Sequence, residues 1–296
     1  MIWWWRQPGA STSARSAPRR MGFLELHQHA SPAASGIEGA SLLAAYGPLQ
    51  LLLHTVLLTA LCAVLHLVAD RLLPSLLPPQ DLDRKTRGVM AGYAVALLHH
   101  LVVTPLALFA LYSFSSSGFT AFPYELLMAA PPFTLAYLFT DLAFYAIPMR
   151  DREFLLHHGI TLAITVVFLL SPVTLLRWTA SLFVCELSSI CFAVSYFCTK
   201  IAVWQNTPVH AGVEGAFFLL FLVTRVVNLP AAAYGLLVLN PAEAAYLGRA
   251  GAASLLGLCA MQFWWFYRIL LKLAAKLKPS EGTAAALPNS KQGKGA

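Results

Sequence analysis

The 296-residue chain is 58% hydrophobic and only 11% charged, whereas a soluble domain has about 25% charged residues. This composition excludes a soluble globular fold, because so apolar a chain would expose large hydrophobic patches to water. The net charge of +7 lies largely in tails and loops, and no soluble basic surface is left that could bind nucleic acid.

The two ends of the chain differ in composition from its centre. Residues 1–45 are rich in Ser, Ala, Pro, Gly and Arg, a composition that cannot form a packed core. We therefore expect a disordered luminal tail over 1–45, a transmembrane domain over 46–277 and a disordered cytosolic tail over 278–296.

Seven apolar runs follow the first tail and predict an all-α polytopic bundle of about seven transmembrane helices, since roughly 20 apolar residues span a bilayer. They lie at 47–69, 89–112, 124–147, 154–170, 175–199, 212–238 and 248–271. The breaks between them are mostly short, which favours antiparallel neighbours. In the third run, Pro131 and Pro132 predict either a kink, a shorter helix or a re-entrant segment.

Basic residues near the ends of the runs predict the orientation, because cytoplasmic flanks carry an excess of Lys and Arg. One side has Arg71, Arg84, Lys85, Arg87, Arg150, Arg152, Lys200, Arg268, Lys272, Lys276 and Lys278. The other side has only Arg177 and Arg249. The C-terminus is therefore predicted to be cytosolic.

No metal site or disulfide framework is expected. The cysteines at positions 62, 185, 191, 198 and 259 all lie inside apolar runs, without the spacing that zinc or disulfides require. Adjacent His99 and His100 point about 100° apart on a helix and cannot both bind one metal ion. Both histidines are expected to pack rather than to act as metal ligands.

Ionisable side chains inside spanning helices are costly and therefore mark functional sites. The runs contain His54, His66, His99, His100, Asp141, His157, His158, Glu186, Glu214 and Arg225, with Asn228 close by. Regular helical spacing would place Glu214, Arg225 and Asn228 on one stripe.

Glu186 and Arg225 lie at the same predicted depth, so we expect them to pair. The pair can serve either to lock helices together or to bind substrate. His157 and His158, followed by Thr161, open a helix after a charged turn, where an imidazole is partly hydrated and can act as an acid or base.

The order and spacing of these polar residues resemble the TLC family, which includes ceramide synthases and the TRAM translocon-associated proteins. The resemblance rests on Gly92, Tyr93, His99 and His100, on Tyr137, Thr140 and Asp141, on 150–154 with His157, His158 and Thr161, on Glu186 to Ser189, on Thr224, Arg225 and Pro230, and on Gln262 to Trp265.

The resemblance implies a helical bundle with a cavity open to lipid chains, located in the endoplasmic reticulum membrane with a cytosolic C-terminus. In ceramide synthases the His-His-x-x-Thr segment is followed by a His-Asp pair and a further Asp, thought to activate an amine for acyl transfer. Here the corresponding stretch, Cys185 to Ser189, reads Cys-Glu-Leu-Ser-Ser. It looks more like the branch without ceramide synthase activity, whose members mostly tune membrane lipid composition.

We therefore expect a protein that binds or remodels lipids in sphingolipid or phospholipid homeostasis, with membrane lipids and acyl chains as partners and a homodimer left open. The expected catalytic residues are His157 and His158, and the expected substrate-binding residues are His99, His100, Asp141, Thr161, Glu186, Arg225 and Asn228. One alternative is a sphingoid-base N-acyltransferase with acyl-CoA as co-substrate and no other cofactor. Others are a cargo or translocation factor of the endoplasmic reticulum and a transporter, although no internal repeat supports the last.

Overall fold

A computed structural model describes residues 41–76, 83–117, 129–172 and 175–277, and within these ranges it is helical and has no β-strand. The helices are α1 (Leu42–Tyr46), α2 (Pro48–Leu76), α3 (Arg84–Ser117), α4 (Ala130–Asp141, continued by Leu142–Ala146 and Ile147–Met149), α5 (Arg152–Leu170), α6 (Leu176–Lys200), α7 (Pro208–Leu239) and α8 (Pro241–Leu277). Short α1 lies at the predicted boundary of the first tail, where the Ser41 hydroxyl caps it by accepting from the Ala44 N–H at 3.1 Å. The predicted C-terminal tail lies outside the described residues.

Six of these helices, α2, α3 and α5 to α8, are each long and apolar enough to cross a membrane. They coincide with six of the seven predicted runs and confirm an all-α polytopic bundle. The third run is described only from residue 129 onward. Its helix α4 has Pro131 and Pro132 in the first turn, where a missing N–H is tolerated. The prolines therefore lie at the start of a shorter helix, and the predicted number of seven is approximate.

Ion pairs identify which helix ends meet at each end of the bundle. At one end Arg87 contacts Asp70 at 2.9 Å, joining α3 to α2. Glu153 at the start of α5 pairs with Arg268 near the end of α8. Arg177 at the start of α6 contacts Glu243 at the start of α8 at 2.5 Å. These contacts are those of an antiparallel bundle.

Helix α4 connects the two ends of this bundle. Helices α3 and α6 run antiparallel, with Tyr93 stacked on Tyr196 at 4.3 Å between ring centroids. Helix α3 therefore ends on the side where α6 and α8 begin, whereas α5 begins on the other side, beside Arg268. Helical residues 130–149 cover about 30 Å at 1.5 Å per residue, enough to cross between the two ends.

Helices α5 to α8 enclose the main apolar core. Ile164 and Phe168 from α5 belong to the same buried cluster as Leu229 from α7 and Leu255 from α8. Helix α5 approaches α8 closely at Gly251, where an added Cβ would lie 2.8 Å from Val167 Cγ1. All the cysteines are free and four of them are buried, as expected of small packing residues.

The outer surface is apolar in a way that only lipid can solvate. Helix α2 exposes Leu49, Leu52, Val56 and Leu57, each by more than half of its surface. A run of exposed leucines and valines of this length would be unstable in water. The chain is therefore a multi-pass membrane protein.

Two helices contain π-helical turns beside the ionisable residues. Helix α4 changes to π-helical geometry at Leu142–Ala146, directly after Asp141. Helix α7 does so at Leu222–Asn228, which contains Arg225. Such turns shift the register of the side chains that follow and frequently occur at functional sites.

The predicted stripe of Glu214, Arg225 and Asn228 holds only in part, because it assumed a regular helix. Arg225 is buried, with 8% of its side chain exposed, whereas 40% of the Glu214 side chain is exposed beside His210. Asn228 bonds to α6, where its amide donates to the Ser181 carbonyl at 3.0 Å, and Arg225 also donates to α6, at Ser188. Arg225 and Asn228 therefore both meet α6, and Glu214 lies apart from them.

Candidate functional site

Arg225 and Glu186 meet in the interior of the bundle, as their matched depth predicted. Arg225 Nη2 lies 3.5 Å from Glu186 Oε2. The π-helical turn of α7 carries Arg225, and Glu186 begins the regular part of α6 after a break at residues 184–185. Irregular backbone on both helices therefore brings the two charges together.

Three uncharged residues complete the surroundings of Arg225. Its Nε donates to Ser188 Oγ at 2.8 Å and its Nη2 to Ser189 Oγ at 2.6 Å. Its Nη1 donates to Gln262 Oε1 on α8 at 3.1 Å. Together with Glu186 these contacts use four of the five N–H groups of a guanidinium. Arg225 thus links helices α6, α7 and α8.

His100 and His99 extend this polar network to α3 and α4. His100 Nδ1 lies 3.1 Å from Glu186 Oε2, so it donates its proton to that carboxylate. His99 Nδ1 lies 3.3 Å from the same nitrogen of His100, and its Nε2 is 3.1 Å from Thr134 Oγ1. These contacts leave His99 to accept at Nδ1 and donate at Nε2. Both histidines are therefore hydrogen-bonded side chains of the network.

Asp141 and His158 form a second buried polar pair. His158 Nε2 lies 2.8 Å from Asp141 Oδ2, and His158 Nδ1 donates to the Phe154 carbonyl at 2.8 Å. Since the carbonyl already takes the Nδ1 proton, the contact with Asp141 requires one more proton shared between the two side chains. The pair is therefore neutral as a unit. His158 is only 1% exposed.

A cavity lies beside the Arg225 network, between helices α4, α5, α6, α7 and α8. It offers about 70 Å³ to the centres of water molecules, and a single water needs about 10–15 Å³. Its polar lining consists of Thr134, His157, Thr161, Thr165, Thr179, Cys185, Glu186, Arg225 and Gln262. Its apolar lining consists of Pro131, Ile164, Phe168, Leu169, Leu182, Phe183, Leu229 and Leu258.

Three polar atoms of this lining have no partner among the described residues: His157 Nδ1, Thr161 Oγ1 and Thr179 Oγ1. Thr165, which lines the same cavity, instead donates to the carbonyl of its own helix at Thr161, at 2.7 Å. Buried polar atoms are nearly always hydrogen-bonded. The three atoms belong to residues that line the cavity, so a molecule bound there would be a partner for them.

The structure brings together some of the predicted site residues and separates others. His157, Thr161, Glu186 and Arg225 line the cavity. His100 contacts Glu186 without lining the cavity itself, and His99 contacts His100. Asp141, His158 and Asn228 are not among the lining residues and have partners elsewhere.

Sequence reasoning missed Gln262, Thr134 and Thr179 as members of the site. All three line the cavity and are less than 10% exposed. Ionisable groups in an apolar run indicate a site by their cost in lipid, whereas neutral amides and hydroxyls, apart from Asn228 and Thr161, were not expected there. A count of every polar residue buried in those runs would have included them. Within the described part of the chain no group of His, Cys, Asp and Glu could hold a metal ion.

The fold and this site define a multi-pass membrane protein with a partly polar cavity enclosed by its helices. The family model of the TLC domain matches residues 91–271, more than half of the chain and every residue that lines the cavity. The chain therefore belongs to the TLC-domain family. No curated protein and no solved structure matches it significantly.

Proposed function

We propose that the protein binds or remodels membrane lipids in the endoplasmic reticulum and acts in sphingolipid or phospholipid homeostasis. One observation carries the proposal: an apolar bundle encloses a cavity whose lining combines an ionic network with a wall of Phe, Leu and Ile side chains. A lipid has the same two parts. Its chain would lie along Phe168, Phe183 and Leu229, and its polar group would face Arg225 and His157.

An amphiphile suits this cavity better than a small polar metabolite does. Ligand sites are mostly apolar with a few placed polar groups that fix orientation. Between residues 52 and 68 the exposed side chains of α2 are all apolar, so a ligand reaching the cavity from the bilayer must itself have an apolar part. A water-soluble metabolite would lose its hydration on that path without compensation.

Blocking the cavity is expected to remove the bound lipid. Thr165→Phe places a ring in the cavity, where it would occupy the space of a bound chain, so we expect lipid retention to fall about tenfold or more, which corresponds to about 1.4 kcal/mol of binding free energy. Native mass spectrometry of the protein purified in mild detergent measures this retention.

The matched control is Val166→Phe, which adds the same ring next to Thr165 on the exposed side of α5 and is expected to leave retention unchanged. Wild-type protein that carries no lipid, together with an unchanged lipidome in cells that lack the protein, would contradict the proposed function.

The proposed orientation places the C-terminus in the cytosol. Arg268 and Lys272 lie at the end of α8 where Trp264 and Tyr267 are about half exposed. Basic residues next to an aromatic belt are typical of a cytoplasmic membrane interface. Arg87 and Glu153, at the starts of α3 and α5, lie at the same end of the bundle.

A second candidate function is N-acyl transfer from acyl-CoA to a sphingoid base, favoured by the unpartnered Nδ1 of His157 in the cavity. His157 would take a proton from the amine as the amine attacks the thioester carbonyl. The C–N bond would form, the C–S bond would break, and coenzyme A would leave as the thiol. His158 cannot take this part, because both of its ring nitrogens are engaged.

An assay of microsomes with sphinganine and acyl-CoA tests this second function. We expect N-acyl product that falls by about 10²-fold or more in His157→Ala, since general-base catalysis contributes about that much. Equal product formation by wild type and His157→Ala would exclude it, and the lipid-binding proposal would then stand alone.

A further inference from the structure

The charged groups that line the cavity balance each other. Arg225 is the one cation and Glu186 the one carboxylate among the described lining residues, and the two lie 3.5 Å apart. His157 has an unpartnered ring nitrogen, and an imidazole buried without a carboxylate partner stays neutral because charging it would cost its hydration. The polar wall therefore carries no net charge.

The hydrogen-bonding capacity of Arg225 is also largely used. A guanidinium binds phosphate through two parallel N–H groups. In Arg225 the Nε–H points to Ser188, and Nη2 donates to both Ser189 and Glu186. Nη1 donates one N–H to Gln262, and its second N–H is the one that remains for a ligand. A phosphate group could bind Arg225 as a fork only by displacing its present partners.

Glu186 adds a further barrier to an anion. Its Oε2 accepts from Ser189 and His100 and pairs with Arg225, which leaves Oε1 as the oxygen for a molecule in the cavity. About a fifth of the Glu186 side chain is exposed, and Glu186 lines the cavity. An anionic ligand would therefore meet a carboxylate oxygen without a free cation to offset it.

Within the described lining of the cavity, the buried side-chain atoms that lack a partner all belong to uncharged groups. Thr179 Oγ1 and Thr161 Oγ1 can each donate and accept, and His157 Nδ1 is a single ring nitrogen. Thr179 is only 7% exposed, so its hydroxyl has no access to bulk water as an alternative partner. Hydroxyl, ester and amide groups are the natural partners of such a set.

We propose that the cavity selects lipids whose polar group is uncharged, carrying hydroxyl, ester or amide groups, and that it rejects lipids with a phosphate. This inference rests on the proposed lipid binding and adds the chemical class of the ligand to it. A buried charge without a partner is far more costly than a buried hydroxyl with one, so the balanced wall discriminates by the charge of the headgroup.

A competition between two lipids that differ only in the phosphate tests the inference. Purified protein in detergent is given equal amounts of diacylglycerol and phosphatidic acid with identical acyl chains, and native mass spectrometry counts each bound lipid. Only the binding that Thr165→Phe abolishes is counted, because phosphatidic acid also binds to basic surfaces. We expect diacylglycerol to exceed phosphatidic acid at least tenfold in that fraction.

The outcomes distinguish the selection by headgroup charge from the proposed lipid binding itself. Equal or preferred retention of phosphatidic acid in the cavity would overturn the inference and leave the proposed lipid binding intact. Retention of neither lipid in a fraction sensitive to Thr165→Phe would contradict both. Preferred retention of diacylglycerol supports both.

A charge change inside the cavity sharpens the test. Glu186→Gln keeps the shape of the side chain but leaves Arg225 without its counter-charge, so the preference is expected to shift toward phosphatidic acid by at least tenfold. Glu214→Gln, the same change on the exposed side of α7, is the control and should keep the wild-type ratio. An unchanged ratio in folded Glu186→Gln would overturn the inference, and the wild-type competition decides the question by itself if that variant does not fold.

Discussion

Replacing Arg225 by methionine is expected to lower the free energy of unfolding by about 3–5 kcal/mol, the cost of removing one partner of a buried ion pair. The variant leaves the Glu186 carboxylate in the bundle without its cation, and Ser188, Ser189 and Gln262 lose the donor that they share. Thermal unfolding in detergent micelles, followed by tryptophan fluorescence, measures the loss.

A double-mutant cycle separates the ion pair from general damage to the packing. Glu186→Leu combined with Arg225→Met removes both charges, so we expect the pair of changes to cost less than the sum of the two single changes by about 1–3 kcal/mol. Arg249→Met is the matched control, because Arg249 is exposed on α8 and surface changes usually stay within about 0.5 kcal/mol. If Arg225→Met is no more destabilising than Arg249→Met, the structural role of the network is refuted.

The helical bundle was predictable because its signal is the mean hydropathy of long segments. A run of about 20 apolar residues has no stable conformation in lipid other than a helix, since every backbone N–H and C=O must be satisfied within the segment. Six of the predicted runs correspond to the six long apolar helices. The run over 124–147 was less predictable, because Pro131 and Pro132 allow several outcomes and the start of α4 depends on the chain around it.

The meeting of Glu186 and Arg225 was also predictable, from depth alone. Position along a helix gives the depth of a side chain in the bilayer, and two opposite charges at one depth have a strong reason to pair. Depth does not say which further groups join them. His100, Ser189 and Gln262 come from three different helices, and their approach depends on how those helices are rotated and packed.

The π-helical turn at Leu222–Asn228 explains why the stripe on α7 holds only in part, since Glu214 precedes the turn and Arg225 and Asn228 lie within it. A π-helical turn contains an extra residue, and each one rotates all later side chains relative to a regular helix. Nothing in the stretch from Leu222 to Asn228 marks the turn in the sequence by composition. It forms where the packing of Arg225 against α6 and α8 favours it, which is a property of the folded bundle.

The adjacent histidines His157 and His158 show that the direction of a single side chain is likewise a property of the folded bundle. His157 and His158 share one motif, and nothing in that motif favours one of them over the other as the residue that faces the cavity. Neighbouring side chains on a helix point about 100° apart. Only one of two adjacent histidines can therefore face a given cavity. In the structure that one is His157, with its ring 5.1 Å from Trp265, whereas His158 turns toward Asp141.

The two alanine variants are therefore expected to lose different properties: His158→Ala loses stability, and His157→Ala loses lipid retention. His158→Ala leaves the Asp141 carboxyl buried without its partner, which should cost about 3–5 kcal/mol of stability. Lipid retention per folded molecule should stay close to wild type, since His158 does not line the cavity. His157→Ala loses ring contacts with Trp265 and His158, each worth about 0.5–1.5 kcal/mol, and it should lower lipid retention about tenfold or more. Thermal unfolding and native mass spectrometry of both variants measure the two quantities.

A second change at Asp141 distinguishes a lost partner from a lost side chain. If His158→Ala is harmful because it leaves a carboxyl group unpaired, then Asp141→Leu in the same chain should restore about 1–3 kcal/mol of the loss, because a buried pair can be replaced by apolar residues at little cost. The same Asp141→Leu change combined with His157→Ala should restore nothing, since Asp141 has no contact with that ring. The opposite pattern, with stability lost at His157 and lipid lost at His158, would mean that the cavity does not bind lipid through His157.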